Sequence, residues 1–219
     1  RDAGGLRIEV VTPFEQLRIT YEGQVCLLDD PLQMADPRTA FRENPMVDCS
    51  VQLDVRGISP MYGGRPVNAD GSDIEQAAET SFAKAHYEQH VAMTGTIVVG
   101  DEVLDIDGLG LRDKSWGPRF WQAVHWYRWL PMVFGEDFAM MLSVIGGDDP
   151  DRPPRQGGMV LEGGEYHLIR ECEIESDWDQ HGYQTAMRAK VRTDRRSYEV
   201  EGEVISLIPL RNRRTTPDG

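Results

Sequence analysis

The chain has 219 residues, with 37 acidic against 23 basic side chains and a formal net charge of -14. That length suffices for one large β unit or two small domains with a true core, and the acidic excess argues against nucleic acid as a partner, because phosphate binding draws on Lys and Arg. Cys26, Cys49 and Cys172 are widely spaced and form no Cys-x-x-Cys pair, and no run reaches the ~20 apolar residues of a membrane-spanning helix. This usage predicts a cytoplasmic protein without a disulfide scaffold.

In chain order, period-two alternation of apolar and polar residues predicts strands at Leu6–Val11, Glu15–Tyr21, Val47–Val55, Val91–Val99 and Glu102–Ile106. Helices are predicted only at Ala35–Arg42 and at Ile74–Lys84, the second behind the capping pair Ser72-Asp73. Gly57–Gly71 reads as a surface loop, and Asp148–Arg155 is too rich in proline for a central strand. Further strands are predicted at Phe138–Ile145, Gln156–Leu161, Glu165–Ser176, Tyr183–Thr193 and Ser197–Pro209. Glycine turns punctuate them at Glu22-Gly23, Val99-Gly-Asp101, Gly146-Gly147, Gly163-Gly164 and Glu201-Gly202.

Short strands at regular spacing with glycine turns mean an all-β antiparallel barrel or sandwich. The break between Val67 and Phe82 divides the strands into an early group, residues 1–72, and a later group, residues 73–219. The basic clusters Arg192–Arg196 and Arg211–Arg214 read as solvated faces. The chain opens on Arg1 rather than Met and stops on Thr-Pro-Asp-Gly219 just after a strand, which is expected of a piece of a longer protein.

The chemistry concentrates in Gly108–Leu130, which holds Trp116, Trp121, Trp126 and Trp129 interleaved with Arg112, Asp113, Lys114, Arg119, His125 and Arg128. Aromatic faces mixed with a few polar groups are how a pocket for an apolar ligand is lined. Asp113 is a candidate acid, because a carboxyl group desolvated beside aromatic walls stays neutral near pH 7. On a strand, Asp113 and Ser115 share one face and Trp116 points to the other. The alternative, a structural carboxylate paired with Arg112, Lys114 or Arg119, is the preferred reading of this single residue, because a cation beside it holds it ionised.

His86, Glu88 and His90 alternate along one strand and so share a face. They read either as a His-x-Glu-x-His metal face or as rim groups that hydrogen-bond locally, and the second reading is preferred for want of a fourth ligand, so no metal is assigned. His86 or His90 remains a candidate proton donor to a ligand, and His125 is a further candidate catalytic residue. The candidate ligand-binding residues are Tyr87, Trp116, Trp121, Trp126 and Tyr127, with Arg119 and Arg128 able to anchor a carboxylate bidentately or to tie strands together. The chain has no dinucleotide fingerprint, phosphate loop or Gly-x-Ser-x-Gly elbow, so no cofactor is expected.

Several landmarks together carry a resemblance: His86-Tyr-Glu-Gln-His90, Gly95-Thr-Ile, the block Gly108-Leu-Gly-Leu-Arg-Asp-Lys-Ser-Trp-Gly-Pro-Arg119, Tyr127-Arg-Trp-Leu130, and Ile208-Pro-Leu-Arg-Asn-Arg-Arg214. In their order the chain resembles an uncharacterised bacterial family of two-barrel proteins related to the AttH and carotenoid 1,2-hydratase group of lipocalin-like proteins, which also includes Diels-Alderase-type cyclases. The resemblance implies two consecutive lipocalin-like barrels with an apolar ligand space within or between them, the second barrel continuing past residue 219. In the hydratase relatives an Asp-His-x-Trp-Gly block carries the alkene-protonating aspartate. Asp113 and Trp116 match that block, and Lys114 stands where histidine is expected.

Three functions follow as expectations. The chain binds an isoprenoid-, steroid- or polyketide-like molecule and catalyses cofactor-independent hydration, isomerisation or cyclisation; or it carries such a molecule without turnover; or the Trp-rich block is a structural seam between barrels. The expected partner is thus a hydrophobic small molecule, with neither nucleic acid nor a membrane span, and the sequence leaves the oligomeric state open.

Overall fold

A computed structural model describes residues 2–65, 68, 72, 83–117, 126–146 and 153–210. The fold is all-β and antiparallel, built of two sheets, one of them a curled half-barrel. The first sheet contains β1 (Asp2–Ala3), β2 (Leu6–Thr12), β3 (Gln16–Cys26), β4 (Met46–Gly57), β5 (Tyr62–Gly64), β6 (Ala85–Val99) and β7 (Glu102–Trp116). Its strands run in the order β1-β2-β3-β4-β6-β5, with β7 also pairing β6. The second is a meander of β8 (Trp126–Val133), β9 (Phe138–Gly146), β10 (Arg155–Glu162), β11 (Glu165–Trp178), β12 (Gln184–Thr193) and β13 (Ser197–Glu203), each paired with the next.

The helical turns between β3 and β4 follow from local chemistry. Asp30 caps a short 3-10 segment, Pro31–Ala35, through a capping box with Gln33. Asp36 then caps α1 (Pro37–Glu43) by accepting from the Thr39 amide, and a proline opens each segment where its missing N–H costs nothing. The helix expected at Ile74–Lys84 falls almost wholly outside the described residues.

Alternation of burial follows the sequence on β4, where Val47, Cys49, Val51, Leu53 and Val55 turn inward between exposed or half-buried polar residues. The register pairs Leu17 with Val55 and Val55 with Met93, which places Leu17, Val55 and Val91 in the core of the first sheet with Ile19, Leu53 and Met93 packed on it. The second core is larger, built on Met140, Leu142, Val144, Val160, Cys172, Ala189 and Val191. Phe138 on β9 and Tyr198 on β13 lie four strands apart in the order, about 19 Å in a flat sheet at ~4.8 Å per strand. Their rings nevertheless meet at 5.9 Å between centroids, so the second sheet is strongly curled.

Several expectations need correction. The division at 72/73 does not coincide with a break in pairing, because β6 hydrogen-bonds to β4 over Cys49–Gly57 and to β5, so strands from both sides of it form one sheet. The pairing breaks instead between Trp116 and Trp126. Glu22-Gly23 is no turn: β3 runs through Gly23, where the Tyr21 ring lies over the bare Cα and its hydroxyl donates to the Gln24 carbonyl at 2.8 Å. Gly202 likewise sits within β13, opposite Met187. The β6–β7 and β10–β11 connections are two-residue turns as expected, at Gly100-Asp101 and at Gly163-Gly164, whose glycines have φ of +60° and +85°. The loop expected at Gly57–Gly71 contains β5, three residues too short and glycine-rich to show alternation.

Candidate functional site

β6 is the strand from which the site is built, because both of its faces are covered. Ala85, Tyr87, Gln89 and Val91 face the core of the first sheet, and Glu88 and His90, on the opposite face, are 1% and 0% exposed. The register places Tyr62 beside Glu88 on β5, and Asp113 beside Glu88 and Ser115 beside His86 on β7, all on this second face. Against it lies a face of the second sheet that the cross-strand pairs define as Trp129, Pro131, Ala139, Met141, Met159, Leu161 and Tyr166. A polar cluster is therefore enclosed between two sheets and walled by thioether and aliphatic side chains.

At one end of this seam the Tyr166 hydroxyl lies 2.5 Å from Ser59 Oγ and 3.1 Å from His90 Nδ1, and the His90 amide donates to Ser59 Oγ at 3.0 Å. Burial drives His90 down to about 4, so the ring is neutral, with the Met140 backbone acting weakly in the opposite direction. His90 Nε2 is buried without a hydrogen-bond partner of good geometry. Burial also raises the Tyr166 phenol, against the pull of its bonds to Ser59 and the His90 backbone.

Glu88 occupies the middle of the seam. Its Oε1 accepts a hydrogen bond from the Trp129 indole at 2.8 Å, and its Oε2 is buried without a partner. Burial raises this carboxyl above the usual glutamate range and the nearby Asp113 raises it further, while the Trp129 bond and His86 lower it. Tyr62 is raised first by burial and then by the field of Glu88. With the indole N–H directed at Oε1, that oxygen is the acceptor, and when the carboxyl takes up a proton it belongs on Oε2. His86 Nε2 stands at the half-exposed end, 2.9 Å from Asp113 Oδ1 and 3.8 Å from Glu88 Oε1. One ring nitrogen thus contacts Asp113 at the rim and stands near Glu88 in the interior, beyond hydrogen-bond distance of it.

Of the residues singled out in the sequence, the structure brings His86 and Asp113 into contact. The alternative of Asp113 as an ion-pair partner of Arg112 or Lys114 does not hold, because strand alternation sends both to the opposite face. There Arg112 lies over the Tyr87 ring at 5.1 Å and Lys114 over the Trp116 ring at 5.5 Å. Tyr87 and Trp116 meet edge to face at 6.3 Å on that face, with Phe14 5.6 Å beyond Tyr87, so they do not line the seam. No turn intervenes before Trp116, since β7 continues to it, and Gly117 with φ +98° ends the strand.

Tyr127 is exposed on the seam side of β8, next to Trp129 in register terms. Trp126 and Arg128 point to the other side, where Trp126 packs over Gly146 and Arg128 donates to Ser176 Oγ at 2.8 Å and lies over the Trp178 ring. Arg128 is therefore a strand tie here rather than an anchor in the seam. Arg119, Trp121 and His125 lie outside the described residues.

His86, Glu88 and His90 do share a face, as their spacing predicts, but their side chains diverge to Asp113, Trp129 and Tyr166. Among the described residues no group of three or more His, Cys, Asp or Glu has the geometry to hold a metal ion. Sequence reasoning missed Ser59, Tyr62, Trp129 and Tyr166 as members of this cluster. Trp129 stood in the Trp-rich block, but its partner Glu88 is 41 residues earlier, and Ser59 lies 107 residues from Tyr166. No local spacing could have paired them.

An all-β protein of two antiparallel sheets with a buried acid–imidazole cluster between them is the class that fold and site define. Over its whole length, residues 1–219, the chain matches the model of a family described as Domain of unknown function (DUF7064), and it belongs to that family. No curated protein and no solved structure matches it. No helix among the described residues is long and apolar enough to cross a membrane.

Proposed function

We propose that the chain binds an apolar small molecule of the isoprenoid, steroid or polyketide kind at the Asp113 end of the seam, and performs cofactor-independent acid–base chemistry on it with Glu88 and His86. The observation that carries this reading is the Glu88 carboxyl: enclosed, pushed toward its neutral form by burial, and with Oε2 unpartnered. Enclosed carboxyls whose proton affinity is raised by burial are found at functional sites. A neutral carboxylic acid in an apolar enclosure can protonate a carbon–carbon double bond or an enol ether, reactions that begin hydration, isomerisation and cyclisation. Glu88 gives its proton to the substrate and becomes a carboxylate held by the Trp129 N–H; the substrate cation then gives up a proton to His86, directly in an isomerisation or from the water that adds in a hydration, and His86 passes it back to Glu88 from the Asp113 side. Developing positive charge on the substrate is met by the aromatic faces of Trp129 and Tyr127.

The resemblance of the Arg112-Asp-Lys-Ser-Trp116 block to the hydratase-type lipocalin-like proteins supports the same chemistry. In this reading, however, Glu88 is the acid and Asp113 the residue that orients His86. The expected result of extracting the purified protein and analysing it by mass spectrometry is a copurified apolar molecule. Trp129→Ala should lose that molecule, while Glu88→Gln should retain it unconverted. Absence of any apolar molecule from the wild type, or equal conversion by Glu88→Gln, overturns the assignment; retention without conversion by the wild type points to a carrier.

A further inference from the structure

The face of the second sheet that turns away from the seam carries a cation the acid–base reading leaves unused. Arg128 on β8 and Ser176 on β11 are three strands apart in the order, about 14 Å in a flat sheet at ~4.8 Å per strand. Arg128 Nη1 nevertheless donates to Ser176 Oγ at 2.8 Å, so the side chain reaches across the mouth of the curl. Below it lie Val144, opposite Arg128 in register, and Met187, opposite Ser176, both part of the core or packed against it. The guanidinium stands 5.8 Å from the centre of the Trp178 ring, so a hydroxyl and an indole together fix where it points.

With Nη1 committed, the Nε/Nη2 edge is left, and nothing accepts from it among the described residues. Elsewhere on this sheet the same edge grips carboxylates: Arg170 holds Asp194 at 3.0 and 2.6 Å, and Arg192 holds Glu171 at 3.0 and 2.6 Å. The acids that flank Ser176, Glu175 and Asp177, lie on the opposite face, where Arg188 takes both. Arg128 is half-buried, and in a chain of net charge -14 it stands without an acid among the described residues. Next to it on the same face, the half-exposed Trp126 indole lies over Gly146, where an added Cβ would collide with the ring.

We propose that this mouth binds an aromatic carboxylic acid. The carboxylate accepts two parallel hydrogen bonds from Arg128 Nε and Nη2, and the flat apolar body packs on the Trp126 indole. Selectivity comes from a planar fork that Ser176 and Trp178 hold in place: a neutral alcohol cannot fill both of its donors as an anion does, and an ammonium is repelled. The site is independent of the acid–base reading of the seam, because Trp126 and Arg128 stand on the face of β8 opposite Trp129.

The test is calorimetric titration of the whole chain with 2-naphthoate, 2-naphthylmethanol and 2-naphthylmethylammonium, together with NMR of the tryptophan indole N–H groups. Naphthoate should bind about tenfold tighter than the alcohol, a difference of ~1.4 kcal/mol, and the ammonium weakest of the three. Naphthoate should shift the Trp126 and Trp178 signals and leave that of Trp129 in place. Arg128→Lys keeps the charge but removes the fork, and should weaken naphthoate about fivefold. Arg128→Gln should bring naphthoate down to the level of the alcohol, with alcohol binding unchanged; if that variant fails to fold, alcohol binding is lost as well and Arg128→Lys decides. Trp126→Leu should weaken naphthoate and the alcohol alike and keep their ratio. Equal affinity for naphthoate and alcohol, full naphthoate affinity in the Arg128 variants, shifts at Trp129 alone, or no saturable naphthoate binding overturns the proposal.

Discussion

Glu88 and His90 are two residues apart on one face of β6, and burial moves their protonation equilibria in opposite directions. For Glu88 the folded state holds its proton more tightly than the unfolded chain. Its contribution to stability is therefore fully present below the unfolded value of 4.5 and is lost as pH rises through the raised folded value. For His90 the folded state resists protonation, so stability is present above 6.5 and is lost as pH falls toward about 4. Glu88→Gln, which keeps the shape and the acceptor for Trp129, should raise the thermal midpoint at neutral pH, with a gain that fades toward pH 4.5. In the wild type the His90 effect should appear as a loss of stability of up to roughly 3 kcal/mol on acidification. Denaturant melts of wild type and Glu88→Gln across the pH range check both signs; a Glu88→Gln protein less stable than wild type at neutral pH would show that the carboxyl is held charged.

Individual strands were legible where one face is buried and the other wet. β2, β3, β4, β9, β11 and β12 lie where alternation places them, because period-two burial is written directly in the residues. β6 is longer toward its N-terminus than its Val91–Val99 pattern, because residues 85–91 are covered on both sides and their polar face reads as surface until the second sheet is known. β7 extends ten residues beyond Ile106 through Gly108 and Gly110, which supply no side chains to alternate. Close approach of paired strands is decided at bare glycines: at Gly158, with φ +133°, an added Cβ would overlap the Met141 carbonyl oxygen on β9. Gly158→Ala should cost at least ~2 kcal/mol, through both the disfavoured backbone and the pushed strand. Urea unfolding measures this, and a loss under about 0.5 kcal/mol would mean that the β9–β10 pair yields without penalty.

At the scale of the whole molecule, the two sheets are joined through the seam by hydrogen bonds from Trp129 to Glu88 and around Tyr166, His90 and Ser59. The Arg56–Glu136 ion pair also crosses between them at 2.8 Å, but both partners are exposed and such pairs contribute little. Buried hydrogen bonds couple the sheets more strongly, since breaking them strands polar groups in an apolar enclosure. Tyr166→Phe leaves Ser59 and His90 without their shared partner and should cost about 1–3 kcal/mol while the protein still melts in one transition. Calorimetry that resolves two transitions in the wild type would show instead that the sheets unfold independently. The sequence by itself determined the all-β class, most strands, the capped turns and the shared face of His86, Glu88 and His90, because each depends on residues a few positions apart. The tertiary structure alone decided that this face is interior, that Glu88 meets Trp129 and His90 meets Tyr166, and that Arg112 and Lys114 leave Asp113 to His86. Those outcomes depend on which surface of one sheet is covered by another, and burial of that kind is a property of the packed molecule rather than of any local run of residues.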